Sequence, residues 1–235
     1  MRRDTRAPTL PAMKAALVQD LPGPRRWRAR EPVSGYSHLT GFGLACVGAV
    51  ALVVRAEHRG ASMAIALVYV ASLVGLYAAS SAYHLLPGGE TLQRQLRRLD
   101  HAAIFLMIAG TCTPVFWYAF EGNTRTATLC GIWIVAFVGI ALRLLWLSAP
   151  RLLYTVMYVA MGWAVVLAGP RGFHALPGVV VALVVAGGVT YTTGAVVYAL
   201  KRPNPFPSVF GFHEIWHLFV LGGSAMHYAA IATLV

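Results

Sequence analysis

Histidines and carboxylates gather near the ends of the apolar segments of this chain. His213 and His217 are four residues apart, so on a helix both rings project from one face, about 6 Å apart along the axis. His84, at the end of a separate apolar segment, can supply a third imidazole. Three neutral imidazoles that leave a fourth position open are typical of catalytic zinc sites. We therefore predict that His84, His213 and His217 bind Zn²⁺.

Two further polar residues, Asp100 and Ser80, are predicted to be catalytic residues beside this metal. Asp100 opens an apolar segment, and its carboxylate can either bind the ion or hold its water through a hydrogen bond. Ser80 lies one helical turn from His84 on the same face, so it can support a ligand or contact a substrate.

Residues 213–217 read His-Glu-Ile-Trp-His, which also matches a zinc-peptidase pattern. In that pattern two histidines bind zinc and the glutamate is the general base. Within a membrane helix it would indicate an intramembrane metalloprotease with Glu214 as the base. A five-residue string recurs by chance, and Glu214 can instead join a polar network with another helix, so the peptidase is a lesser alternative.

The remaining buried polar residues have more ordinary interpretations. His227 lies ten residues beyond His217, roughly 15 Å along a helix, which is too far to share the ion. We predict that His227 hydrogen-bonds a neighbouring helix, as a lone membrane histidine usually does. His101 is predicted to be interfacial or to support the metal ligands, and Arg143 to snorkel to the membrane interface.

The composition indicates that lipid surrounds the elements that carry these residues. Of the 235 residues, 58% are hydrophobic and only 11% are charged, whereas a soluble domain carries about 25% charged residues. The formal net charge is +11. Nucleic acid is not the predicted partner, because the basic residues lie in a tail and between apolar runs, as membrane orientation signals do.

Seven apolar runs predict an all-α, polytopic membrane protein with seven transmembrane helices, since a span needs about 20 apolar residues. They lie near 38–54, 61–86, 101–120, 126–147, 152–170, 175–200 and 211–235. Only Ser148, Ala149, Pro150 and Arg151 separate the fourth and fifth runs. Residues 38–235 are predicted to form the transmembrane domain, and residues 1–37 a basic, largely disordered cytoplasmic tail.

The distribution of positive charge predicts the orientation. With the N-terminus in the cytoplasm, 15 of the 19 Lys and Arg residues fall on the inner side and 4 on the outer side. Seven spans then place the C-terminus outside. This topology brings His84, Asp100, His213 and His217 to the inner leaflet of the cell inner (plasma) membrane.

Several ordered motifs resemble the PAQR family, which includes the bacterial hemolysin III-like membrane homeostasis proteins and the adiponectin receptors. They are residues 80–84 (SSAYH), 96–104 (LRRLDHAAI), 110–114 (GTCTP) and 210–217 (FGFHEIWH, continuing to His227). An element from Glu31 to His38 is similar to the family's acidic–Asn–His motif, with Ser34 where Asn is usual. The resemblance covers about residues 31–235.

This resemblance implies seven helices and a zinc ion at the inner leaflet, held by His84, His213 and His217, with Asp100 positioning a water. It also implies a lipid-amide hydrolase related to alkaline ceramidases. The predicted partners are membrane lipids, including a ceramide-like substrate, and the oligomeric state stays open.

The residues themselves leave a second class of function open. A non-enzymatic membrane sensor, in which zinc staples helices together, would use the same ligands. A pore-forming protein is a lesser alternative, because no span has a continuous polar stripe. A bis-histidine haem site is less favoured than zinc, since a carboxylate and an HxxxH cluster suit a hard ion that keeps a water.

Overall fold

The computed structural model describes residues 29–167, 174–207 and 209–235 of the chain. Within these residues the regular structure consists of eight helices and one isolated β-bridge, between Phe206 and Phe210. The helices are α1 Pro32–Arg59, α2 Met63–Leu85, α3 Glu90–Ala119, α4 Gly122–Leu145, α5 Arg151–Gly162, α6 Ala164–Leu167, α7 Gly178–Leu200 and α8 Phe212–Leu234.

Six of these helices, α1 to α4, α7 and α8, are long and apolar enough to cross a bilayer. Their outward faces carry large apolar side chains; on α1, for example, Leu44 and Val47 are 67% and 71% exposed. A row of such side chains on the outside of a long helix is solvated by lipid. The predicted all-helical membrane architecture is therefore present in the described residues.

The fifth apolar run, near 152–170, is divided in the structure. It forms α5 and the single turn α6, with Trp163 between them outside helical geometry. The break follows Gly162, and glycine is among the residues least favourable to a helix. The indole nitrogen of Trp163 donates to the Thr192 hydroxyl of α7 at 2.9 Å. The described part of this segment is thus shorter than the other six, and the count of seven spans stays a prediction.

Two helices begin earlier in the chain than the predicted runs. α1 begins at Pro32, ahead of the run at 38, and proline suits this first helical position because the amide hydrogen it lacks has no partner there. α3 begins at Glu90, so Asp100 lies about three turns inside the helix rather than at its start. Residues 1–28 of the predicted tail lie outside the described residues.

The helices surround a central cavity. α1, α2 and α3 pack in chain order, α5 packs against α3 and α7, and α8 packs against α7 and α1. The residues that line the cavity come from these six helices and the turn after α5, while α4 packs outside them against α3. The cavity has about 1170 Å³ of empty space, part of which is open to the outside.

α1 approaches its neighbours closely at Gly41. A β-carbon at this position would lie 2.7 Å from side-chain carbons of both Tyr77 on α2 and Leu221 on α8. Only glycine fits such a contact without a shift of these two side chains. This close approach brings the N-terminal half of α1, with His38, against the ends of α2 and α8 where the predicted ligands lie.

Candidate metal centre

The three predicted ligands meet at one end of the cavity. His84 lies in the last turn of α2, and His213 and His217 lie in the first two turns of α8. One ring nitrogen from each residue lies within 4.8 Å of the other two. The Nε2 atoms of His213 and His217 are 3.2 Å apart. The i, i+4 spacing and the antiparallel approach of two helix ends thus produce a compact cluster of nitrogen donors.

The cluster has more nitrogen lone pairs than protein partners. His84 and His217 are 1% and 2% exposed, and Nε2 of His84 and Nδ1 of His217 have no hydrogen-bond partner among the described residues. Buried polar atoms without partners are costly, and a cation beside the facing Nε2 atoms of His213 and His217 would also give Nε2 of His84 a partner. Three imidazoles with room for a fourth ligand are a donor set of the kind zinc prefers.

Glu31 orients His84 within this cluster. Its Oε2 atom accepts a hydrogen bond from Nδ1 of His84 at 2.6 Å. A carboxylate acceptor fixes the proton on Nδ1 and leaves the lone pair of Nε2 free to bind a metal. The hydrogen bond from His84, together with the Arg30 guanidinium, lowers the pKa of the Glu31 carboxyl to about 2. The carboxyl therefore remains ionised at neutral pH.

Asp100 and Ser80 lie beside the three histidines and line the same cavity. Both are buried, with Asp100 near the Ser80 hydroxyl and outside the group of three ring nitrogens. The Ser80 hydroxyl also hydrogen-bonds Nδ1 of His38 at 2.8 Å, and the His38 ring lies 3.8 Å from that of His217. The arrangement can hold a water or a carbonyl between the nitrogen cluster and a carboxylate.

The cavity changes in character with distance from the histidines. Near them it is lined by polar groups, including Tyr154, Tyr198 and His101. Further along, its walls are apolar side chains from α3, α5 and α8. These are Ile104, Met107, Ile108, Val159 and Val220. A site with reactive polar groups at one end and an apolar channel behind them suits an amphipathic molecule with a long chain.

Comparison with known proteins identifies the family. Residues 26–228 match the profile of the family described as haemolysin-III related. The chain belongs to the haemolysin-III-related family. It is 32% identical to Hemolysin-3 of Bacillus cereus over 203 residues, which cover 86% of this chain and 90% of that protein. It is also 32% identical to the Hemolysin-3 homolog of Bacillus subtilis (strain 168), over 83% and 89% of the two chains.

A more distant similarity links this haemolysin-III-related protein to a plant protein. It is 30% identical over 153 residues to the heptahelical transmembrane protein ADIPOR2 of Oryza sativa subsp. japonica, covering 58% of this chain and 66% of that one. These matches confirm the PAQR resemblance of the sequence. Together with the six long apolar helices, they establish a multi-pass membrane protein.

Glu214 has a structural position in this haemolysin-III-related protein. Its Oε2 atom accepts a hydrogen bond from the backbone amide of Gly211 at 2.8 Å, and its Oε1 atom accepts one from the Ser34 hydroxyl at 2.9 Å. The first contact caps the N-terminus of α8, and the second joins α8 to α1. A carboxylate with both oxygens engaged in this way is poorly placed to act as a general base, so the contacts disfavour the peptidase interpretation.

Arg143 is buried rather than extended to the interface, which corrects the snorkelling prediction. It is 2% exposed; its Nε atom donates to Nδ1 of His101 at 2.9 Å, and its Nη1 atom donates to the Leu147 carbonyl at 3.0 Å. The guanidinium also lies over the Tyr154 ring, 4.2 Å from its centroid. These partners satisfy the cation inside the protein, so it has no need to reach water.

His227 lies apart from the metal centre, as predicted. Its Nε2 atom is 3.1 Å from the Val184 carbonyl of α7. This contact is the helix-to-helix hydrogen bond expected of a lone histidine in a membrane helix. The residues that sequence reasoning did not assign are Glu31 and His38, and the available signal was their position in the N-terminal motif that resembles the family pattern.

Proposed function

We propose that this protein is a zinc-dependent hydrolase of a ceramide-like lipid amide, and that it serves membrane lipid homeostasis. The observation that carries the proposal is the convergence of three histidine nitrogens beside a buried carboxylate, at the polar end of an apolar cavity. The same arrangement would be unusual for a structural site alone, because a structural site needs no channel for a chain.

His84, His213 and His217 would hold the zinc, with Glu31 fixing the tautomer of His84. Zinc in such a site lowers the pKa of a coordinated water to about 7 and polarises a carbonyl. Because all three ligands are neutral imidazoles, the positive charge of the ion would not be reduced by its protein ligands.

Asp100 is the residue best placed to move protons. Its carboxylate would accept a proton from the attacking water as the new C–O bond forms, and return that proton to the departing nitrogen as the C–N bond breaks. The buried position of Asp100 keeps bulk water away from this exchange. Ser80, held by its hydrogen bond with His38, would orient the carboxylate or the substrate oxygen.

The cavity supports a lipid as the substrate class. Apolar side chains of α3, α5 and α8 line its middle, and a long hydrocarbon chain would lie there with its amide at the histidines. A water-soluble peptide offers no such chain. This reasoning favours membrane lipids as partners and gives no support to nucleic acid.

The topology is part of the proposal. We infer seven spans, with the apolar run near 152–170, which contains α5 and α6, as the fifth, a cytoplasmic N-terminus and an inner-membrane location. The name of the rice relative, heptahelical, and the inner location of 15 of the 19 basic residues support this topology. A reporter that is active only in the cytoplasm, fused to the C-terminus, should be inactive; activity there would contradict the topology.

A non-enzymatic sensor with structural zinc is the second candidate. It is favoured by the contacts that tie three helices together around the cluster: Glu31 with His84, and Ser34 with Glu214. A pore, which the names of the Bacillus relatives suggest for those proteins, fits less well because the middle of the cavity is apolar.

The deciding experiment pairs two measurements on the same purified protein in nanodiscs. Zinc content and hydrolysis of a panel of lipid amides and esters are measured before and after removal of the metal with a chelator. We expect hydrolysis that disappears with the metal and returns when zinc is restored. Bound zinc without hydrolysis across the panel would favour the sensor, and hydrolysis that persists without metal would contradict the proposed mechanism.

A further inference from the structure

The far end of the cavity, about 15 Å along α8 from His217, is polar again. We use the name far site for its polar lining residues, which are Thr111, Trp163, Tyr191, Thr192 and His227. The apolar middle of the cavity separates this group from the metal centre. Polar side chains at this depth are costly in a membrane protein and are usually retained for a function. A polar, apolar and then polar lining suggests a ligand with the same sequence of groups.

Most hydrogen-bonding groups of the far site already have partners. The Trp163 indole donates to the Thr192 hydroxyl at 2.9 Å, and that hydroxyl donates to the Gly188 carbonyl at 2.7 Å. The hydroxyl of Tyr191 is 2.7 Å from that of Ser224. These pairs fix the walls of the far site, so the groups that remain free decide what can bind there.

His227 presents such a free group, and its chemical character can be assigned. Nε2 lies 3.1 Å from the Val184 carbonyl. A carbonyl only accepts hydrogen bonds, so Nε2 carries the proton and Nδ1 of the neutral ring is an acceptor. Within the described residues Nδ1 has no hydrogen-bond partner.

Gly187 explains the orientation of the ring. A β-carbon at Gly187 would overlap Cδ2 and Nε2 of His227, so this edge of the ring is packed directly against α7. Nδ1 lies on the opposite side of the ring from this packed edge, and His227 lines the cavity. Nδ1 of His227 is therefore an acceptor in the far site that can pair only with a hydrogen-bond donor.

We propose that the far site binds a hydroxyl group on the hydrocarbon chain of the ligand, with Nδ1 of His227 as the acceptor. The inference rests on the proposed function, because it takes the cavity as the place where the lipid chain lies. A hydroxyl buried there with its partner is favourable, whereas a plain methylene leaves Nδ1 without one. An ether or ketone at the same position has no hydrogen to donate and cannot replace the hydroxyl.

Equilibrium binding tests this without any need for turnover. The probe is parinaric acid, a fluorescent polyene fatty acid that accepts excitation energy from tryptophan, and Trp163 and Trp216 both line the cavity. The competitors are stearic acid, a series of monohydroxystearic acids that differ in hydroxyl position, and the matching methoxy compounds. We expect one region of the hydroxy series to displace the probe about five- to tenfold better than stearic acid. The methoxy compounds should give no such gain.

Two substitutions of His227 sharpen the test. His227→Gln can keep a donor for the Val184 carbonyl but withdraws the acceptor from the cavity, so it should bind stearic acid normally and lose the preference for hydroxyl. His227→Asn, whose side-chain oxygen can take the place of Nδ1, should keep part of that preference. Unchanged affinity of each variant for parinaric acid serves as the check that it is folded.

Equal displacement by stearic and all hydroxystearic acids in the unmodified protein would overturn the far-site inference, and this result needs no variant. A preference for hydroxyl that survives in His227→Gln would also overturn it. If parinaric acid and stearic acid do not bind at all, the proposed lipid cavity itself fails, and the far site fails with it. Binding without preference would leave the proposed function standing.

Discussion

His217 and His227 are the same residue type, ten residues apart on one helix, yet their surroundings differ completely. The ring of His217 lies among three others, those of His38, His84 and His213. His227 instead faces a backbone carbonyl of α7 and the ring of Tyr191. The chemistry available to a histidine in a membrane helix is thus decided by what the opposing helices present to it.

The far site and the metal centre differ in how many imidazole nitrogens have a hydrogen-bond partner. A buried imidazole in a membrane protein is costly unless its nitrogens are paired. At His227 the hydrogen bond between Nε2 and the Val184 carbonyl meets this need for one nitrogen, and the residue lines the cavity. At the metal centre, His213 and His217 face each other through Nε2, and Nε2 of His84 has no partner in the described residues. The excess of lone pairs at that end is what a cation would satisfy.

Removing one ligand should produce the largest difference between the two regions. His84→Ala or His213→Ala leaves two imidazoles, fewer than the three protein ligands usual in a catalytic zinc site, so zinc occupancy should fall to about a tenth or less. His227→Ala should retain the metal. The measurement is zinc per chain in protein purified without added metal. Loss of zinc in His227→Ala and retention in His84→Ala would reverse the assignment.

Substitutions of the two carboxylates near the cluster, Asp100 and Glu214, should differ in their effect on the rate of hydrolysis rather than on zinc content. Asp100→Asn preserves size and removes the base, so the rate of lipid hydrolysis should fall by about 10²-fold or more with zinc largely retained. Glu214→Gln, the matched control, keeps one oxygen that can accept from the Gly211 amide or the Ser34 hydroxyl, and it removes no catalytic group. If Glu214→Gln has no hydrolytic activity and Asp100→Asn remains active, the result would instead support peptidase-type chemistry.

Glu31 should tune the metal centre without belonging to it. Glu31→Gln weakens the hydrogen bond that fixes the tautomer of His84, so zinc affinity should decrease by about 10- to 100-fold. Glu57→Gln, at the opposite end of α1, provides a control with the same change of charge. Competition with a chelator measures both variants. Equal zinc affinities of Glu31→Gln and Glu57→Gln would mean that Glu31 does not act on the metal through His84.

The smallest effect is expected from the hydrogen bond between α7 and α8. His227→Phe keeps an aromatic ring but loses the contact with the Val184 carbonyl, so stability should fall by about 1 kcal/mol. Thermal unfolding of the metal-free protein in detergent measures it, since bound zinc would mask a small change. A loss several times larger would indicate that the far site holds the bundle together.

The sequence was sufficient to predict the cluster because each member follows from a local rule. His213 and His217 share a helix face through their spacing, and the position of His84 at the end of an apolar run places it at the same membrane depth. The membrane character followed equally well from the composition. Polar residues can be grouped by their depth in the membrane because long apolar helices must align with the bilayer.

Contacts that depend on how helices rotate about their axes were not predictable. The pairing of Glu31 with His84 and of His38 with Ser80 joins residues that are 53 and 42 positions apart. Arg143 was expected at the interface because it carries a charge near the end of an apolar run. The sequence does not show that His101 of a neighbouring helix is its partner. The hydrogen bond between Trp163, at the break of the fifth run, and Thr192 of α7 is likewise a contact between distant parts of the chain.

Elemental analysis of the purified protein shows whether His84, His213 and His217 form a metal centre. The protein is isolated in detergent without histidine tag or added metal, and the metals are quantified against protein concentration. We expect close to one zinc per chain, removable by a strong chelator and restored by zinc. Protein that contains no zinc and fails to bind it when zinc is supplied would show that the three histidines do not form a zinc site.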